Sequence, residues 1–290
     1  MGGAMIIEVA QQIFNGIVIG SVYVLIALGL TVIFGIFGIA HFAHGSVAMF
    51  GGYLTFYLTQ RFGLSLFPGM AIAMPIGALL GILIERLAYR PVRDDPHINA
   101  FIIALGLTML IEGADLLLFG ADQVVIPSSY RSVINIAGLA MVELRIYVVL
   151  TTCALIAAMT VLLSSTRTGK AVRAVAQNRS AAILMGVDVE WVSMVVFAIS
   201  SALGIAAGAL IGALFAVAPG VGEGLVVKGF AVLILGGLGS IPGAIVGGIV
   251  LGVSETLAAG FISSAYKDGI AFLVMILVLL FRPEGLLGKR

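Results

Sequence analysis

The sequence predicts an all-α polytopic integral membrane protein, and three observations carry that reading: composition, the length of the apolar runs and the placement of glycine. Hydrophobic residues fill 61% of the 290 positions and charged residues only 10%, whereas soluble domains carry charge at about a quarter of their positions. The mean hydropathy is +1.21. The apolar runs lack the alternation of a barrel strand, so helices, which satisfy every backbone donor and acceptor within one segment, are what these runs form in lipid. The 38 glycines recur inside the runs, often four residues apart. One transmembrane domain over 1–290 is expected, with about eight or nine helices, discontinuous glycine-rich segments and a cytoplasmic helix in mid-chain. A net charge of +1 gives no electrostatic footprint for nucleic acid.

The first twelve residues, MGGAMIIEVAQQ, hold no Lys or Arg, so a cleaved signal peptide is not expected and the first helix is its own insertion signal. A hydrocarbon layer of about 30 Å takes roughly 20 helical residues. Runs that reach across it are 13–37, 67–87, 98–119, 147–163, 192–217 and 269–281. Two stretches are ambiguous: 42–58 is short and opens with HFAHG, and 229–261 is broken by GGLGSIPG at 236–243.

Three basic clusters order the chain: Arg86, Arg90 and Arg93; Arg167, Lys170, Arg173 and Arg179; Arg282, Lys289 and Arg290. An excess of Lys/Arg in short loops marks the cytoplasmic side. Two runs separate the first two clusters, which places both on that side with the C-terminus, and 121–145 on the outside. The side of the N-terminus depends on whether 42–58 spans. The outer loop carries Val133, Ile134 and Ile136 before Gly138, the pattern of a small β-hairpin; an ordered flap for an external partner and a solvated loop both fit.

Within the mid-chain loop 164–190, residues 169–185 read as one surface helix with Ala171, Val172, Val175, Ala176, Ala182, Ile183 and Met185 as apolar contacts. Such a helix either docks in the groove of a soluble partner or lies on lipid headgroups. It lacks the bulky Trp/Phe/Leu face of lipid anchors, and its Ala-rich side suits a protein groove.

Gly204, Gly208 and Gly212, and the pairs Gly16/Gly20, Gly77/Gly81 and Gly243/Gly247, leave helix faces open to close packing. Gly236, Gly237, Gly239 and Gly243 with Pro242 instead break a helix, and irregular backbone at membrane depth needs surrounding protein or a water-filled cavity. With GIAHFAHG at 38–45, each half of the chain holds one interruption. Paired interruptions of this kind mark a translocation path, the alternative being tight turns between short helices. The path candidates are His41, His44, Gly236, Gly237, Gly239 and Ser240. His41 and His44 lack a third ligand, so they read as a polar pair lining or capping a broken helix and not as a metal site. Glu112, Asp115 and Glu255 are intramembrane carboxylates by position, open to proton coupling or to neutralisation by water or Arg. Cys153 reads as a small packing residue.

Nothing in the chain suits ATP. Gly169-Lys170 is followed by Ala171 and not Ser or Thr, and Ser164 stands where the first P-loop glycine belongs. No nucleophile–base constellation or Cys cluster occurs, so no enzyme and no cofactor are expected, and nucleotide energy has to come from another polypeptide.

Several strings occur together: NG-x3-GS-x-Y from Asn15, FAHG from Phe42, ERLAYRPVR from Glu85, TGKAVRAVAQNRSAAILMGV from Thr168, GGLGSIPGAIVGG from Gly236 and YKDGIAFLVMILVLLFRPEGLLG from Tyr266. Through nearly the whole chain they resemble the H-type (LivH type) permease subunit of branched-chain and hydrophobic amino-acid ABC importers. The resemblance implies a second, M-type permease, two cytoplasmic ATPases, an external substrate-binding protein and a bacterial inner-membrane location. It makes 168–187 the coupling helix, with Arg173, Gln177, Leu184, Met185 and Gly186 as ATPase contacts. Similar permeases serve urea and amides, so these remain alternative substrates; a gradient-driven secondary transporter or a passive channel remain alternative modes. His41 stands where the family pattern NFAHG has Asn.

Overall fold

The computed structural model describes residues 2–93, 95–136 and 138–288. The apolar runs become α1 (Gly2–Phe37), α2 (His44–Phe62), α3 (Leu66–Ile84), α4 (His97–Phe119) and α5 (Glu143–Ser165), followed by the short α6 (Arg167–Gln177) and α7 (Arg179–Leu184). The chain continues through α8 (Val189–Leu214), α9 (Val221–Gly236), α10 (Ile241–Phe261) and α11 (Lys267–Phe281). Between α4 and α5, β1 (Val133–Ile136) pairs antiparallel with β2 (Leu139–Val142), and Gly138 at φ +87° closes the hairpin in the left-handed region that glycine enters without steric cost. Seven of the described helices, α1, α3, α4, α5, α8, α10 and α11, are long and apolar enough to cross a membrane. Of the two ambiguous stretches, 42–58 lies within α2, and 229–261 holds the end of α9 and all of α10; α2 and α9 pack among the seven, so nine of the described helices build the bundle, within the eight or nine the sequence leads one to expect.

Glycine sets how close the helices come. α1 lies along α10, and α8 is flanked by α2 and α3. At the α1–α10 contact Gly16 faces Val253 and Gly20 faces the Gly248 carbonyl; Gly208 of α8 faces the Ala48 carbonyl, and Gly81 of α3 faces Phe197 and Ser201. A side chain at any of these positions would overlap its neighbour. Since lipid is as apolar as the helices, this backbone approach and its dispersion contacts hold the bundle together.

The bundle has two distinct ends. At one, Gln11 of α1 bonds Ala140 of β2 in both directions, its amide donating to the carbonyl at 3.1 Å and accepting from the N–H at 3.0 Å. Val124 pairs with Val217 beyond α8, and the Tyr53 hydroxyl of α2 donates to the Asp122 carbonyl at 3.3 Å. The N-terminal end of α1 therefore lies with the hairpin. At the opposite, basic end lie α6 and α7, together with a π-helical turn Glu85–Tyr89 and a 3-10 turn Arg90–Val92 that end α3. Glu85 bonds Arg93, and Arg90 bonds Glu190 at the start of α8. Of the third basic cluster, Arg282 is at this end, and Lys289 and Arg290 lie outside the described residues.

Two expectations are corrected. The surface helix expected over 169–185 is two helices, because Asn178 adopts an extended backbone (φ −160°, ψ 104°) and its side chain caps the next helix, accepting from Ala181 N at 2.9 Å. An Asn side chain that bonds its own chain three residues on competes with helix continuation. Cys153 is exposed on α5 instead of packed in the core, because α5 turns only Leu144, Val148, Thr152, Met159 and Leu163 inward.

Candidate functional site

α6 is an amphipathic rod seated on the bundle. Thr166 caps it, accepting from Gly169 N at 3.0 Å, and Val172 and Val175 are buried. Gly169 lies against the Leu162 and Leu163 carbonyls, so a side chain there would lift α6 off the end of α5. Arg173 and Gln177 are exposed on the same helix. α7 anchors through Ala182 and ends at Gly186 with φ +81°. Beside that turn Leu184 and Met185 are 86% and 84% exposed. The five residues expected to contact an ATPase thus share the outer face of the basic end, although the Asn178 break divides them between two helices. Leu184 and Met185 are thus left uncovered by the bundle, beside the cationic side chains of the basic end.

The path candidates separate into two places. His41 and His44 occupy the first interruption, buried where α1, α2, α8 and the π turn meet. The His41 Nδ1 and the Tyr89 hydroxyl lie 2.8 Å apart; the His44 Nδ1 is 3.4 Å from the Ser200 hydroxyl, which donates to the Gly29 carbonyl at 3.0 Å. Phe197 stands 5.5 Å from the His41 ring and 5.0 Å from Tyr89, centroid to centroid. The π turn aims Tyr89 at His41, a use typical of this irregularity. The His pair therefore joins packed helices.

Gly236, Gly237, Gly239 and Ser240 form the second interruption, the turn between α9 and α10. Gly237 (φ +106°) and Gly239 (φ +75°) are both left-handed, and the Ser240 hydroxyl caps α10 by accepting from Gly243 N at 3.1 Å. The chain after α11 folds over the turn, with Leu286 N and Leu287 N donating to the Leu235 and Gly236 carbonyls at 2.8 and 3.0 Å. Gly239 borders a cavity of about 540 Å³ whose walls include Thr31 and Gly35 of α1, Ser164 of α5, Arg173 of α6 and Pro242. The cavity brings the second interruption and α6 together, a juxtaposition the sequence does not disclose.

The carboxylates follow different fates. Glu255 of α10 is buried and ion-paired with Lys228 of α9 at 2.9 Å; it accepts from the Tyr23 hydroxyl at 3.0 Å and lies 3.7 Å from Lys267. Lys228 also bonds Asp268. Charges at membrane depth are affordable when paired and hydrogen-bonded in this way. The sequence reading passes over Lys228, whose signal is a cation inside an apolar run. Glu112 of α4 accepts from the Ser46 hydroxyl at 3.2 Å, and Asp115 is buried with neither carboxylate oxygen hydrogen-bonded. Among the described residues no group of three or more His, Cys, Asp or Glu is placed to hold a metal ion.

A helical bundle with seven helices long and apolar enough to cross a membrane, two interrupted segments and a cationic helix pair at one end is a multi-pass membrane protein. The comparisons sharpen this class. The chain belongs to the family of permease components of branched-chain amino acid transport systems, whose family model matches residues 12–279. It is 36% identical to the high-affinity branched-chain amino acid transport system permease protein LivH of Escherichia coli, over 96% of this chain and 95% of that one. The identity to the high-affinity branched-chain amino acid transport system permease protein BraD of Pseudomonas aeruginosa is also 36%, with the same coverage. A probable LivH of Methanocaldococcus jannaschii is 30% identical over 99% of this chain and 93% of its own. No solved structure matches.

Proposed function

We propose that this chain is the permease subunit of an ATP-driven (ABC) importer for branched-chain or other hydrophobic amino acids, set in a bacterial inner membrane with its basic end and C-terminus in the cytosol. Its partners are a second, M-type permease that completes the path, two cytoplasmic ATPases and an external substrate-binding protein that meets the hairpin end. The single observation that carries the reading is the α6–α7 surface: Leu184 and Met185 project from the basic end, while Arg173 on the same unit borders the cavity at Gly239. ATP binding draws the ATPases together, α6 shifts with them, and the shift bears on the α9–α10 turn. Rocking of packed helices about such a contact exposes a path to one side and then the other.

The test is reconstitution in liposomes with and without the ATPases and binding protein. Leucine uptake is expected only with both. The double variant Leu184→Glu/Met185→Glu is expected to insert normally and lose ATPase co-purification. Uptake by the chain alone, driven by a gradient or by nothing, would overturn the reading, as would normal co-purification of that variant. Competition by urea or amides in place of leucine would move the substrate and leave the mode intact.

A further inference from the structure

The start of α9, the start of α2 and the middle of α4 share a face whose polar groups the bundle leaves unused. Glu112 takes one hydrogen bond, from Ser46, and lies within the field of Glu223 on the first turn of α9. Glu223 is exposed and Glu112 partly so. One turn further along α4, Asp115 lies within the field of Glu112; it is 2% exposed and both its carboxylate oxygens lack a partner. Among the described residues none of the three is in an ion pair. A carboxylate standing on a helix surface is expensive in hydrocarbon, and such residues turn toward a water-filled cavity or a bundle interior. This face therefore fronts a polar space and not lipid.

The chemistry here is two-sided. Three acids beside a hydroxyl select a cation that carries N–H donors. At the same spot Gly45 and Gly222 bring the first turns of α2 and α9 into backbone contact, and neither N-cap, Ala43 or Gly220, supplies a side-chain bond. The positive ends of two helices thus meet beside Glu112, which bonds Ser46 of the first turn of α2. One turn along α9 from Glu223, Val227 opens a cavity of about 530 Å³ lined by apolar side chains, among them Phe42, Phe230, Ile234 and Phe272, a volume within the roughly 300–1,000 Å³ of small-ligand sites.

We propose that this face is a substrate subsite of the path: Glu112 and Glu223, with Ser46, hold the ammonium group of a zwitterionic aliphatic amino acid, and the cavity beginning at Val227 takes its side chain. The inference rests on the transport reading above and adds a site to it. The test uses the complete transporter in proteoliposomes, with radiolabelled leucine and an unaltered binding protein whose Kd is measured separately. Loss of a charge-assisted hydrogen bond predicts that Glu112→Gln and Glu223→Gln each raise the KM for uptake about tenfold, that the double variant raises it further, and that Glu223→Asp recovers most of the loss. Val227→Phe fills the apolar slot and is expected to lower leucine uptake relative to alanine. A double Gln variant that assembles and keeps the wild-type KM overturns the subsite. If the Gln variants do not assemble, Val227→Phe decides, and an unchanged leucine-to-alanine ratio overturns it. A wild-type complex that takes up no aliphatic amino acid would instead sink the transport reading itself.

Discussion

The two interruptions of the chain look alike in sequence and are built in opposite ways. The first, at His41 and His44, is filled: aromatic rings and hydroxyls occupy it, and each imidazole has one polar partner. The second, at 237–240, is bare: two left-handed glycines make the turn, the chain beyond α11 covers it, and it borders a cavity shared with α6. A filled joint resists movement because any shift costs several contacts at once. The second is packed backbone on backbone, Gly236 on Gly243 and Gly237 on Glu284 and Gly288. The two interruptions thus differ in what packs them, side chains at the first and backbone at the second.

The largest effect expected lies on α9, which leads into the bare turn. Lys228→Met strips Glu255 of its nearest cation, and removal of one member of a buried pair costs about 3–5 kcal/mol; a Lys228→Met/Glu255→Gln double variant should recover much of that, read as thermal stability in detergent. Next, Gly236→Leu places a side chain on the Gly243 backbone and should cost about 3 kcal/mol through overpacking, or abolish folded protein. A stable, fully active Gly236→Leu protein would break the contrast, since the turn would then have room to spare. At the filled joint, His41→Phe keeps the ring and loses the Tyr89 partner, which should cost about 1 kcal/mol with little effect on transport; a transport loss larger than the stability loss would make the first interruption part of the moving path. The smallest effect belongs to the α6–α7 break: Asn178→Ala removes a cap, worth about 1 kcal/mol or less at an exposed site. If α6 and α7 act as one lever, this change should weaken the coupling of ATP hydrolysis to uptake more than it lowers Tm.

How much of this was legible depends on the range of the forces involved. The spans were readable because lipid imposes a local rule on every residue of a helix, so 98–119 in the sequence becomes His97–Phe119 in the structure. The hairpin was readable from Gly138 and its β-branched neighbours, and the four-residue glycine pairs correctly signal close packing. The helix break was less visible, because Asn178 looks like one more polar residue in a basic surface segment until its side chain is seen to cap Ala181. Lys228 was hidden for a different reason: its cost is met by Glu255 and Asp268, 27 and 40 residues away, and sequence distance conceals that partnership. The exposure of Cys153 likewise depends on which side of α5 the bundle uses, which only assembly decides. Among the path candidates, the sequence placed His41, His44 and the glycines at interruptions but could not separate the filled joint from the bare one.

The pair of hydrogen bonds between the Gln11 amide and Ala140 has a mechanical consequence. That amide serves as a third strand, stitching the hairpin to a 36-residue helix that at about 1.5 Å per residue is some 54 Å long. The far portion of the same helix reaches Gly35, beside Gly239. The hairpin and the α9–α10 turn are thus joined by the stretch of α1 from Gln11 to Gly35, about 36 Å of helix, so a partner seated on the hairpin would touch the same rigid element that borders the turn.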